Sequence, residues 1–252
     1  MHALVVTAGC GRVHFGSAIG IDASPDAAVP DALALHCDNG STATPMTPCT
    51  LSFGERPTAT IHGLTRDSWL ASEFPANNYG ASLLIHSDAS PLHGALLRFE
   101  IAAIPPGSVV ISASLSVYVY EVVGYELTGG QVDARPLLED WTEGTGLEPG
   151  TPGIASYTER VAGVPWTGIG ATAGSIDVGT VAFSFVTGID ALSPGAESVV
   201  AIDTGVVQHW IDEPTANFGV KLDATSDGVG FDSSNHPMAD RHPLLQITFL
   251  PP

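Results

Sequence analysis

From about residue 53 onward, apolar and polar residues alternate in short runs separated by Gly, Pro, Asn and Asp. The longest run, 109–120, sets Val109, Ile111, Ala113, Leu115, Val117 and Val119 on one face. Ser112, Ser114, Ser116, Tyr118 and Tyr120 fall on the other. A period of two marks a half-buried strand. Residues 245–249 repeat it at the C-terminal end, and 82–86, 95–101, 130–136, 180–186, 198–203 and 219–222 are further strand candidates. One segment changes period. Val206 or Val207, Trp210 and Ile211 recur at i, i+3 and i+4 behind Thr204, a capping residue type, which predicts a two-turn helix over 204–211 with Trp210 in the core. Many short strands with one brief helix predict an all-β fold, a two-sheet antiparallel β-sandwich of the jelly-roll kind.

The first fifty residues have a different texture. Residues 1–9 are a short apolar, small-residue run without a basic head, and 21–32 form a small, acidic, Pro-punctuated tract with no aromatic residue and no period. Such a tract is an extended spacer. The chain therefore divides into 1–9, an acidic Pro/Ala/Ser/Thr-rich linker over 10–53, and a folded domain over 54–252.

Charge narrows the function. Acids outnumber bases 27 to 8, a net charge of −19, which argues against nucleic acid as a partner, because that affinity rests on Lys and Arg against phosphate. The 44% apolar content argues against disorder throughout. No run approaches the ~20 apolar residues of a membrane-spanning helix, so membrane contact is expected only through a lipid anchor.

An anchor is suggested by Val6-Thr7-Ala8-Gly9-Cys10, which resembles a bacterial lipobox, with Cys10 as the lipidated residue and 1–9 as the remnant of a signal peptide. The Asp-Ala-Pro tract after it resembles those behind the lipid cysteine of myxobacterial lipoproteins. The alternative for 1–9 is a short buried strand. If Cys10 carries lipid, Cys37 and Cys49 remain, and outside the cytoplasm they are expected to form a disulfide. Neither a CxxC nor a Cys/His cluster with zinc spacing is present, and the nine histidines show no i, i+4 or x-H-x-H spacing.

The order of motifs from about residue 60 to 252 resembles the DNRLRE domain, related to carbohydrate-binding module family 96. The resemblance is carried by Asp67-Ser68-Trp69-Leu70, Asn77-Asn78-Tyr79-Gly80, Leu96-Leu97-Arg98-Phe99-Glu100, Ile104-Pro105-Pro106-Gly107, and the tryptophan loops Trp141-Thr142-Glu143 and Pro165-Trp166-Thr167. Ile202-Asp203-Thr204, Val206-Val207-Gln208-His209-Trp210 and Asn217-Phe218-Gly219 continue it. Asn235 departs from the pattern, where the family often has Glu. The resemblance implies a secreted jelly-roll module and supplies the link to polysaccharide or another cell-envelope component.

Flat aromatic faces stack on pyranose rings, so Trp141 and Trp166, in Pro/Gly-rich loops, and Tyr118 and Tyr120, on the serine face of 109–120, are the ligand-binding candidates. Each has an alternative: core packing for the tryptophans, and a face covered by the second sheet for the tyrosines. Jelly-roll modules often hold one structural Ca²⁺ through carboxylates, and Asp67, Asp223, Asp227 and Asp232 are the candidate ligands. Arg98, on a candidate central strand, is expected to pair a buried carboxylate. No GxSxG, HExxH or P-loop occurs, and the Gly-rich 168–174 is not placed between a strand and a long helix. The reading is a non-catalytic, lipid-anchored extracellular or outer-membrane surface module that binds polysaccharide. The alternatives are a structural or adhesive surface protein and, last, a polysaccharide-degrading enzyme. Because like charges oppose a polyanion, the glycan is expected to be neutral, or anionic and bridged by Ca²⁺.

Overall fold

The computed structural model describes residues 34–57, 60, 62–123, 131–147, 151–172, 175, 177–180, 183–186, 194–225 and 228–252. Cys10 and the segment 1–9 lie outside them. From Leu35 to Pro252 the chain forms one compact unit.

The strands are β1 (Cys49–Phe53), β2 (Thr65–Ala71), β3 (Asn77–Asn78), β4 (Leu84–Ala89) and β5 (Leu92–Phe99). They continue with β6 (Val109–Val123), β7 (Gln131–Pro136), β8 (Thr151–Pro152), β9 (Glu159–Val161) and β10 (Val164–Pro165). After β11 (Phe183–Val186) and β12 (Glu197–Ile202) come the helix α1 (Thr204–Asp212), then β13 (Val220–Ala224), β14 (Gly228–Asp232) and β15 (Leu244–Leu250). The all-β sandwich is as the alternation predicts.

Pairing runs β1-β15-β6-β14-β4-β5-β13-β7-β11, with β12 also on β6 and β2 also on β5, all antiparallel among these strands. One layer holds β1, β15, β6 and β12; the other holds β2, β5, β13, β7 and β11; β14 and β4 close one side between them. Leu51, Phe53, Leu115, Val117, Ile247 and Phe249 from the first layer meet Ala95, Leu97, Ala134, Val220 and Leu222 from the second in the main core. On the outer face of the second layer, Leu70 and Leu96 form a separate core with Leu137, Trp141, Trp166 and Val178.

Strand β6 corrects the alternation at its start. Phe249 opposes Val110 and Thr248 opposes Ser112, so Ile111 is the extra residue of a β-bulge. The bulge reverses the faces: Val109 and Ile111 are exposed, while Val110 packs against the core. From Ala113 to Val119 the expected face is buried. The helix begins one residue earlier than Thr204 as cap implies. Asp203 is the N-cap, and its carboxylate accepts from the amides of Gly205 and Val206. An anion also complements the helix N-terminus better than a hydroxyl does.

Cys37 and Cys49 are joined in a disulfide with Cα atoms 5.3 Å apart. The linker assigned to 10–53 ends earlier than expected, because β1 pairs with β15 from Cys49 to Phe53 and buries Leu51 and Phe53 completely. The sequence between the cysteines is polar, but the disulfide and the amide of Asp38 on the Thr50 carbonyl tie it to that strand.

Candidate functional site

The four aromatic candidates separate. Trp141 is 2% exposed and donates its indole N–H to the Phe218 carbonyl at 2.9 Å. Trp166 is 3% exposed and donates to the Ser156 carbonyl, also at 2.9 Å. Both fill the outer core against Leu70 and Leu96, so neither can stack on a sugar as an exposed platform. Loop composition placed them at the surface; the loops fold back over the second layer and bury them. Trp210 is buried, as its stripe predicts, and Trp69 is buried against Tyr79 with ring centroids 3.8 Å apart.

Tyr118 does not lie under the other sheet. Two guanidiniums contact its ring, that of Arg56 at 5.0 Å and that of Arg241 at 5.3 Å from the centroid. Arg56 is held in turn by Glu197 at 2.7 Å and by the Ser116 hydroxyl at 2.9 Å. This face of β6 is therefore closed by cation–π contacts and ion pairs. Tyr120 differs. It is the extra residue of a second bulge, between the pairs Val119↔Phe231 and Glu121↔Gly230, and it is 37% exposed. Its ring lines a cavity of about 260 Å³ with Ser82, Leu83, Leu84 and Leu147. Asn78 anchors the chain next to this lining: its amide oxygen accepts from Gly80 at 3.1 Å and from Gly146 at 2.7 Å, just before Leu147.

The calcium candidates do not converge. Asp67 on β2 is 1% exposed, and its Oδ2 accepts from the Ser234 amide at 2.6 Å. Asp223 on β13 accepts from Lys221, itself 2% exposed, at 2.5 Å. Asp232 on β14 is fully buried and pairs with Arg241 at 2.5 Å. Asp67 stands opposite Leu97, and Asp223 stands opposite Gly94 on the other side of β5. That places them about 10 Å apart along the strands and about 10 Å across them, too far for one ion. Asp227 lies outside the described residues. Arg98 pairs Asp140 at 2.7 Å, and this partner is more than half exposed, unlike the buried carboxylate expected for it.

Burial acts strongly on these acids. It pushes the Asp67 carboxyl up to about 7, helped by the nearby Glu143 and Glu55 and opposed by the Ser234 hydrogen bond. Glu143, which accepts from the Asp67 amide at 2.9 Å, is raised by burial as well. Asp232 is raised by burial against the opposing pull of His236 and Arg241.

Among the described residues, one group brings three metal-binding side chains together. One ligand atom each from His86, Asp88 and His93 lies within 4.8 Å of the other two, and all three residues are buried. The β4–β5 hairpin makes the group: Asp88 pairs directly with His93 across it, and His86 shares the face of Asp88 two residues back. His86 Nδ1 lies 3.1 Å from His93 Nδ1, and His93 Nε2 lies 2.6 Å from Glu73 Oε2. Trp69 packs edge-on to both rings, at 5.6 and 5.1 Å. Burial and the neighbouring His93 lower His86 to about 4. A scan of the sequence for helical or x-H-x-H spacing passes over this trio. Its signal is H-x-D on one strand, a Ser-Pro turn, and a histidine on the returning strand.

No protein-family model matches the chain, and no curated protein matches it.

Proposed function

We propose that this chain is a non-catalytic module of the cell exterior that binds a neutral polysaccharide through Tyr120, and that it is held at the outer surface by lipid on Cys10. The observation that carries the reading is the placement of Tyr120. It is the one of the four aromatic candidates whose ring is both exposed and part of an open cavity; among the described residues His236 meets it edge-on and no guanidinium is stacked on it. A cavity of about 260 Å³ lies just below the ~300–1,000 Å³ of drug-sized sites, a size that suits a single sugar ring at the end or branch of a chain. Export is supported by the Cys37–Cys49 disulfide, since such bonds persist mainly in oxidising compartments. The sandwich fold is the one that the resemblance to carbohydrate-binding module family 96 calls for. A neutral ligand follows from the net charge of −19, which opposes a polyanion.

A glycan array, followed by titration of each hit with wild type and Tyr120→Ala, tests the reading. Binding of a neutral glycan that weakens at least tenfold in Tyr120→Ala, with unchanged unfolding in urea, is the expected result. Equal affinity in the variant would move the site elsewhere, and no hit at millimolar glycan would leave the structural or adhesive module.

A further inference from the structure

We infer that His86, Asp88 and His93 form a binding site for one divalent transition-metal ion of the Zn²⁺ type, with Glu73 as the carboxylate that orients His93. His93 Nε2 sits 2.6 Å from a Glu73 oxygen, so that nitrogen carries the hydrogen and donates it. In a neutral ring the lone pair is then on Nδ1, the nitrogen that faces His86. A carboxylate on one nitrogen and a free lone pair on the other is the arrangement that holds histidine ligands on zinc. Without an ion, His86 Nδ1–H donates to that lone pair, which leaves His86 Nε2 buried with no hydrogen-bond partner among the described residues. An ion would take both Nδ1 lone pairs, with the His86 proton moved to Nε2; that nitrogen has no hydrogen-bond partner among the described residues in either state.

The spacing fits as well. Two nitrogens bound at 2.0–2.1 Å to a tetrahedral ion lie about 3.3 Å apart, against the 3.1 Å between the two Nδ1 atoms. The Asp88 carboxylate supplies the third donor, and its Oδ1 is steadied by the Ser90 amide at 2.9 Å. Backbone from β14 approaches closely at Gly228. A Cβ there would lie 2.6 Å from Asp88 Oδ2 and 3.2 Å from His86 Nε2, so glycine keeps the carboxylate and the imidazole in place. Donor chemistry selects the metal class. Two imidazoles and one carboxylate suit Zn²⁺ and its first-row neighbours, whereas Ca²⁺ takes six to eight oxygens. The site is separate from the Tyr120 cavity, and its test does not depend on any glycan.

The test is isothermal titration of the metal-stripped, disulfide-intact protein with Zn²⁺ and, separately, Ca²⁺, with bound metal counted by mass spectrometry after dialysis. Co²⁺ loading reports the coordination by its visible absorption. One tightly held Zn²⁺ per chain, a tetrahedral Co²⁺ spectrum and no Ca²⁺ heat are expected. Asp88→Asn and His93→Gln should abolish the tight site. Glu73 is nearly half exposed, so Glu73→Gln leaves the fold intact and should weaken Zn²⁺ by 10–100-fold. Absence of stoichiometric Zn²⁺ in the wild type, or Zn²⁺ affinity unchanged in both Glu73→Gln and Asp88→Asn, would overturn the assignment; if Asp88→Asn and His93→Gln fail to fold, Glu73→Gln alone decides.

Discussion

Replacing Asp67 by Asn should make the protein more stable, and the gain should grow with pH. Asp67 is buried in the second layer, with its carboxyl pushed up to about 7 in the fold, whereas the same group ionises near 3.8 in an unfolded chain. Between those values the folded state holds a proton that the unfolded state has lost. The carboxyl therefore costs stability progressively as pH rises from about 4 to about 7, and the cost is fully present above 7. At ~1.4 kcal/mol per pKa unit, the part of that cost falling between pH 5 and pH 8 is about 2–3 kcal/mol. Asn cannot ionise, yet its oxygen can still accept from the Ser234 amide, as Asp67 Oδ2 does at 2.6 Å. Urea unfolding of wild type and Asp67→Asn at pH 5 and pH 8, in chelator and with the disulfide oxidised, reads the difference. With m of ~2–3 kcal/mol/M, the gap between the two midpoints should widen by about 1 M from pH 5 to pH 8. Parallel curves, with a constant gap, would show that Asp67 ionises normally in the fold and that its burial does not act as argued.

Three further perturbations are expected to act on stability. Asn78→Ala removes the acceptor for the Gly80 and Gly146 amides and the donor to the Glu143 carbonyl, and should cost about 3 kcal/mol in urea while loosening the loop that carries Leu147. Reduction of the Cys37–Cys49 disulfide releases a loop of sequence separation 12 and should lower stability by about 3 kcal/mol, measured as a drop in midpoint with and without reductant. Arg241→Met leaves Asp232 buried without its cation and should cost about 3–5 kcal/mol near neutral pH, with much of the loss recovered when Asp232→Asn is added. A double-mutant cycle that gave no recovery would rule out the ion pair as the cause.

How far the sequence could be read depended on whether the deciding interaction was local. Alternation from Ala113 to Val119 and from 245 to 249 placed the core strands, because a period of two directly reports one buried face. It failed at Val109 and Ile111, where the fault is one unpaired residue opposite Thr248 and Phe249, a feature of the partner strand's register that no single-strand pattern carries. Trp141 and Trp166 were misplaced for a related reason. Their neighbours are loop-forming, but their burial comes from Leu70 on β2 and Leu96 on β5, at least 70 and 45 positions earlier in the chain. The acids proposed for calcium were grouped by their place near the ends of the domain, and the three described ones, Asp67, Asp223 and Asp232, each take a different partner. The histidine trio was within reach of a strand-based search, since a tight turn brings residues on either side of it face to face.

Strand β4 shows why so many polar groups are buried at one side of the sandwich. From Leu84 to Ser87 it pairs with β14, and at Asp88 and Ala89 it pairs with β5, so it carries the chain from one layer to the other. A strand at such a corner is covered on both faces, and β4 is buried from Leu84 to Asp88. Backbone groups where the two ladders part need partners that side chains must supply. Ser87 accepts from the Ala224 amide at 2.5 Å, and Asp88 from the Ser90 amide. Those polar residues also fix the register. A slip of β4 by one residue would carry His86 and Asp88 to the face that Ile85 gives to the main core, and would leave Ile85 among Trp69 and His93. Burying an unpaired carboxylate in that core would cost several kcal/mol, so the seam tolerates one pairing. The same constraint that aligns the corner brings His86, Asp88 and His93 together, and it sets Leu84 in the wall of the Tyr120 cavity three strand positions from Ser87.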